Sequence, residues 1–173
     1  MKKKNWLNWL SYGGIALLFT LIGAYAAGLK QKPDGAVQAL YAQTLPDASG
    51  AAQALSQWKG KTLIVNFWAP WCAPCVEEMP ELSELQRQYA AKNLQIIGIG
   101  IDSPSNIAEF AKKFNIAYPV YVAGIQGTEL SRQLGNKAGG LPYTVLIGAD
   151  GQVRKTYLGR LKFEQLRADL AAL

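Results

Sequence analysis

The sequence predicts an α/β domain with a mixed central sheet, and two observations lead to this prediction. Two short apolar segments rich in β-branched residues, 62–68 and 94–101, are typical of buried strands. Segments with helical spacing follow each of them, and the chain then ends with a hairpin pattern and a last helix. Strands that alternate with helices before a terminal hairpin are expected to pack as layers on a sheet with parallel and antiparallel strands.

The elements before and after the first buried strand have simple local signals. Residues 30–43 are mixed and weakly patterned, so we interpret them as a linker. Turn residues at 46–47 and 50 predict an edge hairpin before the core. A long helical pattern follows the strand at 62–68 and continues to about Ala91.

The second half of the chain continues the alternation. Ser103 is a good N-cap for a helix, and residues 118–123 form the next predicted strand. A helix is expected over 127–135, ending at a glycine. Residues 143–159 predict two strands around an Asp150–Gly151 turn, and 162–173 predict the closing helix.

The N-terminus has the pattern of a membrane anchor. Three lysines at positions 2–4 precede an uncharged, mostly apolar stretch that reaches residue 29. A helix that spans a bilayer needs about 20 such residues, and the lysines favour a cytoplasmic N-terminus. The alternative is a cleaved signal peptide, because Ala24 and Ala26 fit a small-x-small cleavage site. We therefore expect an anchor at 1–29, a linker at 30–43 and an exported domain at 44–173.

The charge distribution argues against nucleic-acid binding. The formal net charge is +6, but five of the 18 basic residues lie within the first 32 residues and all 12 acidic residues come later. The predicted domain is therefore nearly neutral and has no basic stripe to follow a phosphate backbone.

The chain has only two cysteines, Cys72 and Cys75, and no histidine. A closed zinc site needs four nitrogen or sulfur ligands, which these residues do not supply. A structural disulfide across so short a ring would remove little chain entropy. Redox chemistry is the remaining interpretation, and it suits an exported domain.

The two thiols are expected to have different roles. Cys72 follows a buried strand at the start of the helical pattern, where the helix dipole favours a thiolate. Pro74 fits the first helical turn because its missing N–H is not needed there. Cys75 lies one turn later, so we expect it to be more buried and to resolve a mixed disulfide held on Cys72.

These residues resemble the thioredoxin superfamily, in particular its membrane-anchored TlpA/ResA type. The resemblance rests on "VNFWAPWCAPC", on Pro80 five residues after the second cysteine, and on "GLPYT" at 140–144, and it covers roughly 44–173. It implies a thioredoxin-like three-layer fold with a helix-plus-strand insertion at 102–124. It also implies that Pro142 is a cis-proline facing the disulfide, whereas an ordinary turn proline is the alternative.

The resemblance also assigns a proton acceptor. Plain thioredoxins have a buried aspartate where this chain has Asn66, which cannot take a proton. In the TlpA/ResA pattern a glutamate three residues after the second cysteine has that role, and here it is Glu78. Helical spacing places Glu78 one turn from Cys75, although a solvated surface acid remains the alternative. We assign client binding to four residues near the cysteines: Trp71, Pro74, Leu141 and Pro142.

The function implied is a thiol-disulfide oxidoreductase that reduces exported client proteins. No cofactor and no metal are expected, and the partners are disulfide-containing clients and a membrane-bound or exported thiol electron donor. We expect a monomer, on the extracytoplasmic side of a bacterial inner membrane. Apocytochrome c is one client class, although the acidic "PET"-like sequence expected after the cis-proline is here Pro142-Tyr143-Thr144.

Two other functions are considered. A peroxiredoxin-like peroxide reductase needs a hydroxyl residue three positions before its reactive cysteine, and Ala69 occupies that position. A membrane-tethered binding or assembly module with inert cysteines would keep its function after Cys72→Ser.

The anchor interpretation predicts that the mature protein keeps residues 1–29. Mass spectrometry of the membrane fraction should find the intact N-terminus, because a retained apolar helix partitions into the bilayer. A soluble protein that begins at Ala27 would show that a signal peptide has been removed.

Overall fold

The computed structural model describes residues 34–89 and 91–173. Its helices are α1 Gly35–Tyr41, α2 Ala73–Tyr89, α3 Pro104–Phe114, α4 Gln126–Gln133 and α5 Phe163–Ala171. Its strands are β1 Thr44–Pro46, β2 Ala52–Ala54, β3 Thr62–Trp68, β4 Leu94–Gly100, β5 Val120–Val122, β6 Tyr143–Ile147 and β7 Val153–Leu158. The expected edge hairpin is present as the antiparallel pair of β1 and β2.

The main sheet has five strands in the order β5-β4-β3-β6-β7. The strands β3, β4 and β5 pair in parallel, whereas β6 pairs antiparallel with both β3 and β7. The mixed sheet is therefore confirmed. The predicted insertion is also present, because α3 and β5 follow β4 and extend the sheet on one side.

Helices cover both faces of this sheet and produce the expected three layers. Alternate residues of a strand point to opposite faces, so β3 contributes to two cores. On one face Ile64 and Trp68 pack with α2, α3 and α5. On the other face Leu63, Val65 and Phe67 pack with α1 and α4.

The predicted linker is wrong over residues 35–41, which form α1. Asp34 caps this helix, with Oδ1 accepting a hydrogen bond from the Ala36 N–H at 2.8 Å. Val37 and Leu40 are fully buried against the sheet. A helix of seven residues makes fewer than two full turns, so its periodicity is hard to recognise in a sequence. The folded domain therefore begins before the predicted boundary at residue 44.

Several strand ends meet at one edge of the sheet. Because β3 and β4 are parallel, Trp68 and Gly100 end at the same edge. Because β6 runs the other way, its first residue, Tyr143, pairs with Phe67 at that edge, and Leu158 at the end of β7 pairs with Tyr143. The segments that follow β3 and β7 and the segment that precedes β6 are thereby brought together.

The predicted membrane anchor lies outside the described residues. Within residues 34–89 and 91–173, no helix combines the length and apolar character needed to cross a bilayer.

Candidate active site

The two cysteines lie where β3 passes into α2, and they form a disulfide with 5.3 Å between their Cα atoms. Cys72 retains 6% of its surface exposure, whereas Cys75 is fully buried. This agrees with the predicted order of burial. Only the first sulfur is therefore placed for contact with another molecule.

The start of α2 gives Cys72 a favourable electrostatic position. The helix begins at Ala73, and the Cys72 carbonyl accepts hydrogen bonds from the N–H groups of Cys75 and Val76 at 3.0 and 3.1 Å. Cys72 thus precedes the first helical residue at the positive end of the helix dipole, as predicted. This position favours a thiolate on Cys72 once the disulfide is reduced.

Pro142 lies at the same sheet edge, immediately before β6. The Leu141–Pro142 peptide bond is cis, as the family resemblance predicts. Pro142 is buried, and its carbonyl accepts a hydrogen bond from the Gly159 N–H at 2.9 Å. Leu141 is half-buried and contacts the cores on both faces.

Glu78 is fully buried, which rules out the interpretation of a solvated surface acid. Both carboxylate oxygens are hydrogen-bonded. Oε1 accepts from the Asn66 side-chain amide at 2.7 Å, and Oε2 accepts from the Leu161 backbone N–H at 2.9 Å. The carboxylate therefore lies between β3 and the loop after β7.

Burial raises the pKa of Glu78 from 4.5 to about 7, because the ionised carboxylate is poorly solvated there. The hydrogen bonds from Leu161 and Asn66 and the positive charge of Arg160 act in the opposite direction. Arg160 also forms an ion pair with the exposed Glu77 at 3.0 Å. The result is a carboxyl group that gains and loses a proton near neutral pH, one helical turn from Cys75.

Two residues that support the site, Thr144 and Leu161, are absent from the predicted site residues. Thr144 Oγ1 accepts the second hydrogen of the Asn66 amide at 3.0 Å, and Thr144 pairs with Asn66 across β3 and β6. Thr144 follows Pro142 by two residues, so the register of an antiparallel β6 could have indicated it. The Leu161 contact spans 83 residues of chain, and nothing near Glu78 in the sequence points to it.

The predicted client-binding residues fall into two groups. Trp71 is 68% exposed and lines an open groove of about 880 Å³, together with residues 101–104 and 122–126. Pro74 is exposed at the start of α2, whereas Leu141 and Pro142 lie at the β6 side, and none of these three lines the groove. The structure thus places the four residues around the sheet edge rather than in a single pocket.

No group of three or more histidine, cysteine, aspartate or glutamate side chains suited to a metal ion occurs within the described part of the chain.

Comparisons with known proteins agree with this geometry. The family model described as Redoxin matches residues 30–170. The chain is 30% identical to thiol-disulfide oxidoreductase ResA of Geobacillus thermodenitrificans, over 75% of this chain and 72% of the relative. It is 34% identical to ResA of Bacillus cereus, over 72% and 70% respectively. A crystal structure of a thiol:disulfide interchange protein of the thioredoxin family from Chlorobium tepidum superposes with a TM-score of 0.62 and 27% identity, covering 75% of this chain and 94% of that one.

The raised pKa of Glu78 predicts a specific pH dependence of stability. The folded chain holds the Glu78 proton more tightly than the unfolded chain does. This contribution to stability is therefore complete below about pH 4.5 and is lost as the pH rises through about 7. We expect the oxidised wild type to lose up to about 3 kcal/mol relative to Glu78→Gln between about pH 4 and pH 8. Denaturant unfolding of both oxidised proteins across this range measures the difference.

Glu81→Gln is the matched control, because Glu81 is an exposed acid on the same helix, whereas Glu77 is paired with Arg160. We expect it to leave the pH dependence of unfolding unchanged. If the free energies of unfolding of the wild type and Glu78→Gln changed equally with pH, the raised pKa of Glu78 would be contradicted.

Proposed function

The chain belongs to the Redoxin family and is a thiol-disulfide oxidoreductase, and we propose that it works as a reductase of disulfides in exported proteins. The observation that carries the direction of electron flow is the buried Glu78 carboxyl one turn after Cys75. A negative charge near the pair disfavours thiolates and so favours the disulfide form of the enzyme. An enzyme that prefers its own disulfide is a reductant toward its client.

The residues between the cysteines support the same direction. A histidine there would stabilise the Cys72 thiolate and make the disulfide more oxidising, but Ala73 and Pro74 occupy these positions and the chain has no histidine. The remaining stabilisation of the thiolate comes from the helix dipole. That is enough to create a nucleophile without making the pair a strong oxidant.

The first step is attack by the Cys72 thiolate on one sulfur of the client disulfide. A bond forms between Cys72 Sγ and that sulfur, the client disulfide breaks, and the second client sulfur leaves as a thiolate that takes a proton from water. Cys72 is the sulfur with residual exposure, so it can meet the client without unfolding of the site.

The second step releases the client. Cys75 gives its proton to the Glu78 carboxylate, and the resulting thiolate attacks Cys72 Sγ. The mixed disulfide breaks, the Cys72–Cys75 disulfide forms, and the first client sulfur leaves as a thiolate. Two electrons have then moved from the enzyme to the client. A pKa of about 7 lets Glu78 accept this proton and release it again at neutral pH.

We assign client contact to Trp71, Pro74, Leu141 and Pro142, because each lies beside a cysteine in the chain or at the sheet edge where β3 ends and β6 begins. Trp71 supports this assignment because a large aromatic ring that is 68% exposed beside a reactive sulfur is suited to an apolar client segment. Trp71 and Pro74 would hold the client chain on one side of its disulfide, and Leu141 and Pro142 would hold it on the other side.

We further propose that residues 1–29 anchor the protein in a bacterial inner membrane with the domain on the extracytoplasmic side. The support is the run of lysines before a long uncharged stretch. An oxidising compartment does not supply reducing equivalents, so a membrane-bound or exported thiol donor must reduce the Cys72–Cys75 disulfide after each turnover.

The reductase proposal predicts a low reduction potential for the Cys72–Cys75 pair. Equilibrium titration in glutathione or dithiothreitol buffers should give a reduction potential more negative than about −200 mV. Thioredoxin and the glutaredoxins lie in this range. A reduction potential of about −150 mV or higher for this pair would indicate an oxidase instead.

The division of roles between the cysteines predicts which variant traps clients. Cys75→Ser should accumulate a mixed disulfide between Cys72 and the client, because no thiol remains to resolve it. Cys72→Ser is the matched control and should trap none. Non-reducing gels of both variants make the comparison, and trapping by Cys72→Ser alone would reverse the assignment.

The proton transfer predicts a slow second step in Glu78→Gln. Glutamine has a similar shape but cannot take the Cys75 proton, so resolution of the mixed disulfide should slow by roughly 10- to 100-fold. Stopped-flow reduction of a model disulfide measures this rate, and Glu81→Gln is the control. Equal rates in Glu78→Gln and Glu81→Gln would show that Glu78 takes no part in the proton transfer.

A further inference from the structure

The loop between α4 and β6, residues 134–142, brings Leu141 and Pro142 to the sheet edge. The part just before them packs poorly, because Gly139 and Gly140 have no side chains. Glycine has more backbone freedom than other residues, and Gly139 adopts a φ of +68°. Hydrogen bonds from neighbouring elements are therefore needed to fix the peptide that leads into Leu141.

One such bond comes from the side chain of Asn136, which is 2% exposed. Its Nδ2 donates to the Gly140 carbonyl at 2.9 Å and to the Ser131 hydroxyl at 3.2 Å. Because the side chain is buried, water does not replace these partners at low cost. The amide therefore connects the loop to α4.

The partners of this amide determine its orientation. The Gly140 carbonyl can only accept, and the Ser131 hydroxyl already donates its hydrogen to the Thr128 carbonyl at 2.8 Å. The nitrogen of Asn136 must therefore face both of them. Ser131 is fully buried in α4, and Leu130 beside it packs in the core. The amide thus connects the loop to a helix that the core holds in place.

The backbone of Asn136 is also fixed. Its N–H donates to the Ser131 carbonyl at 3.0 Å, and its carbonyl accepts from the Gly139 N–H at 3.0 Å. The Tyr143 hydroxyl donates to the Leu134 carbonyl at 2.9 Å, which joins the residue after α4 to the start of β6. The Asn136 side chain therefore extends from a well-held backbone to the peptide before Leu141.

The bond to Gly140 bears directly on Leu141 and Pro142. The Gly140 carbonyl belongs to the planar peptide unit that contains the Leu141 nitrogen. Fixing that carbonyl fixes the direction in which the chain enters Leu141. After these two residues, the Pro142 carbonyl accepts from the Gly159 N–H at 2.9 Å. The pair is therefore held by one hydrogen bond before it and one after it.

We propose that Asn136 is a positioning residue for client binding, because through the Gly140 carbonyl it sets the position of Leu141 and Pro142 against the client chain. This inference rests on the proposed function, in which those two residues contact the client. Asn136 is buried and lies on a different element from both cysteines. It therefore affects how well a client chain is held and leaves the reacting sulfurs unchanged.

The test follows the first step in the full-length Cys75→Ser protein in detergent, where the mixed disulfide on Cys72 accumulates. One probe is a synthetic peptide with a single internal disulfide. The other is cystamine, a small disulfide with no peptide chain to be held. Rapid quenching and mass spectrometry give the rate of mixed-disulfide formation. For the peptide, its dependence on concentration gives a half-saturating concentration and a limiting rate.

In Asn136→Ala, the half-saturating concentration of the peptide should rise by roughly 5- to 10-fold, the effect of losing about one hydrogen bond. The limiting rate and the reaction with cystamine should stay unchanged, because only the binding of the chain is weakened. Ser131→Ala is the matched control. It removes the other hydrogen bond of the same amide and leaves the one to Gly140, so we expect normal peptide kinetics.

Asn136→Asp is a second variant, which keeps the side-chain volume where Asn136→Ala leaves a cavity. An ionised aspartate has no hydrogen to donate to Gly140, whereas a protonated aspartate has one. At about pH 8 its half-saturating concentration for the peptide should be at least that of Asn136→Ala. At about pH 5 it should fall toward that of the Cys75→Ser parent, because burial favours the protonated form.

Equal half-saturating concentrations in Asn136→Ala and Ser131→Ala would overturn the positioning role and leave the proposed function intact. A slower reaction of Asn136→Ala with cystamine would also overturn it, since the effect would then act on Cys72. A Cys75→Ser parent that reacts with neither disulfide would contradict the proposed function itself, and the positioning role would fail with it.

Discussion

The hydrogen bond from Asn66 to Glu78 is the interaction on which the rest of the site depends. It joins the central strand β3 to the helix that carries both cysteines, at a point where neither side chain reaches solvent. A carboxylate in such a position is costly unless its oxygens are paired. Asn66 and the Leu161 N–H pair both of them, so the acid remains buried on the helix that carries the cysteines instead of turning to the surface.

The direction of β6 brings the cis-proline Pro142 to the sheet edge at which the cysteines lie. Because β6 is antiparallel to β3, Pro142 precedes it at the edge where the cysteines lie, and β7 then returns the chain to the same edge. The segment 159–161 contacts both sides. Its first N–H binds the Pro142 carbonyl, and its last binds Glu78. One short segment therefore fixes the spacing between the two halves of the site.

The two sulfurs occupy opposite electrostatic environments within one helical turn. Cys72 precedes the first residue of α2, where the dipole stabilises negative charge. Cys75 is fully buried, one helical turn before a carboxyl whose pKa is about 7. The first position suits a nucleophile toward a client. The second suits a thiol that ionises only when a base can accept its proton. Attack on the client disulfide would therefore precede resolution of the mixed disulfide.

The sequence by itself determined the strands, most helices and the pairing of Cys72 with Cys75, because each depends on spacing over a few residues. The same local spacing placed Glu78 one turn from Cys75. It missed the helix at 35–41, since that helix is too short to show a period and is held by its contacts with the sheet. Only the tertiary structure decided that Glu78 is buried and has a raised pKa. Burial raises the pKa, whereas the buried carboxylate is paired by a donor 83 residues away, at Leu161, and no local pattern records how distant segments pack.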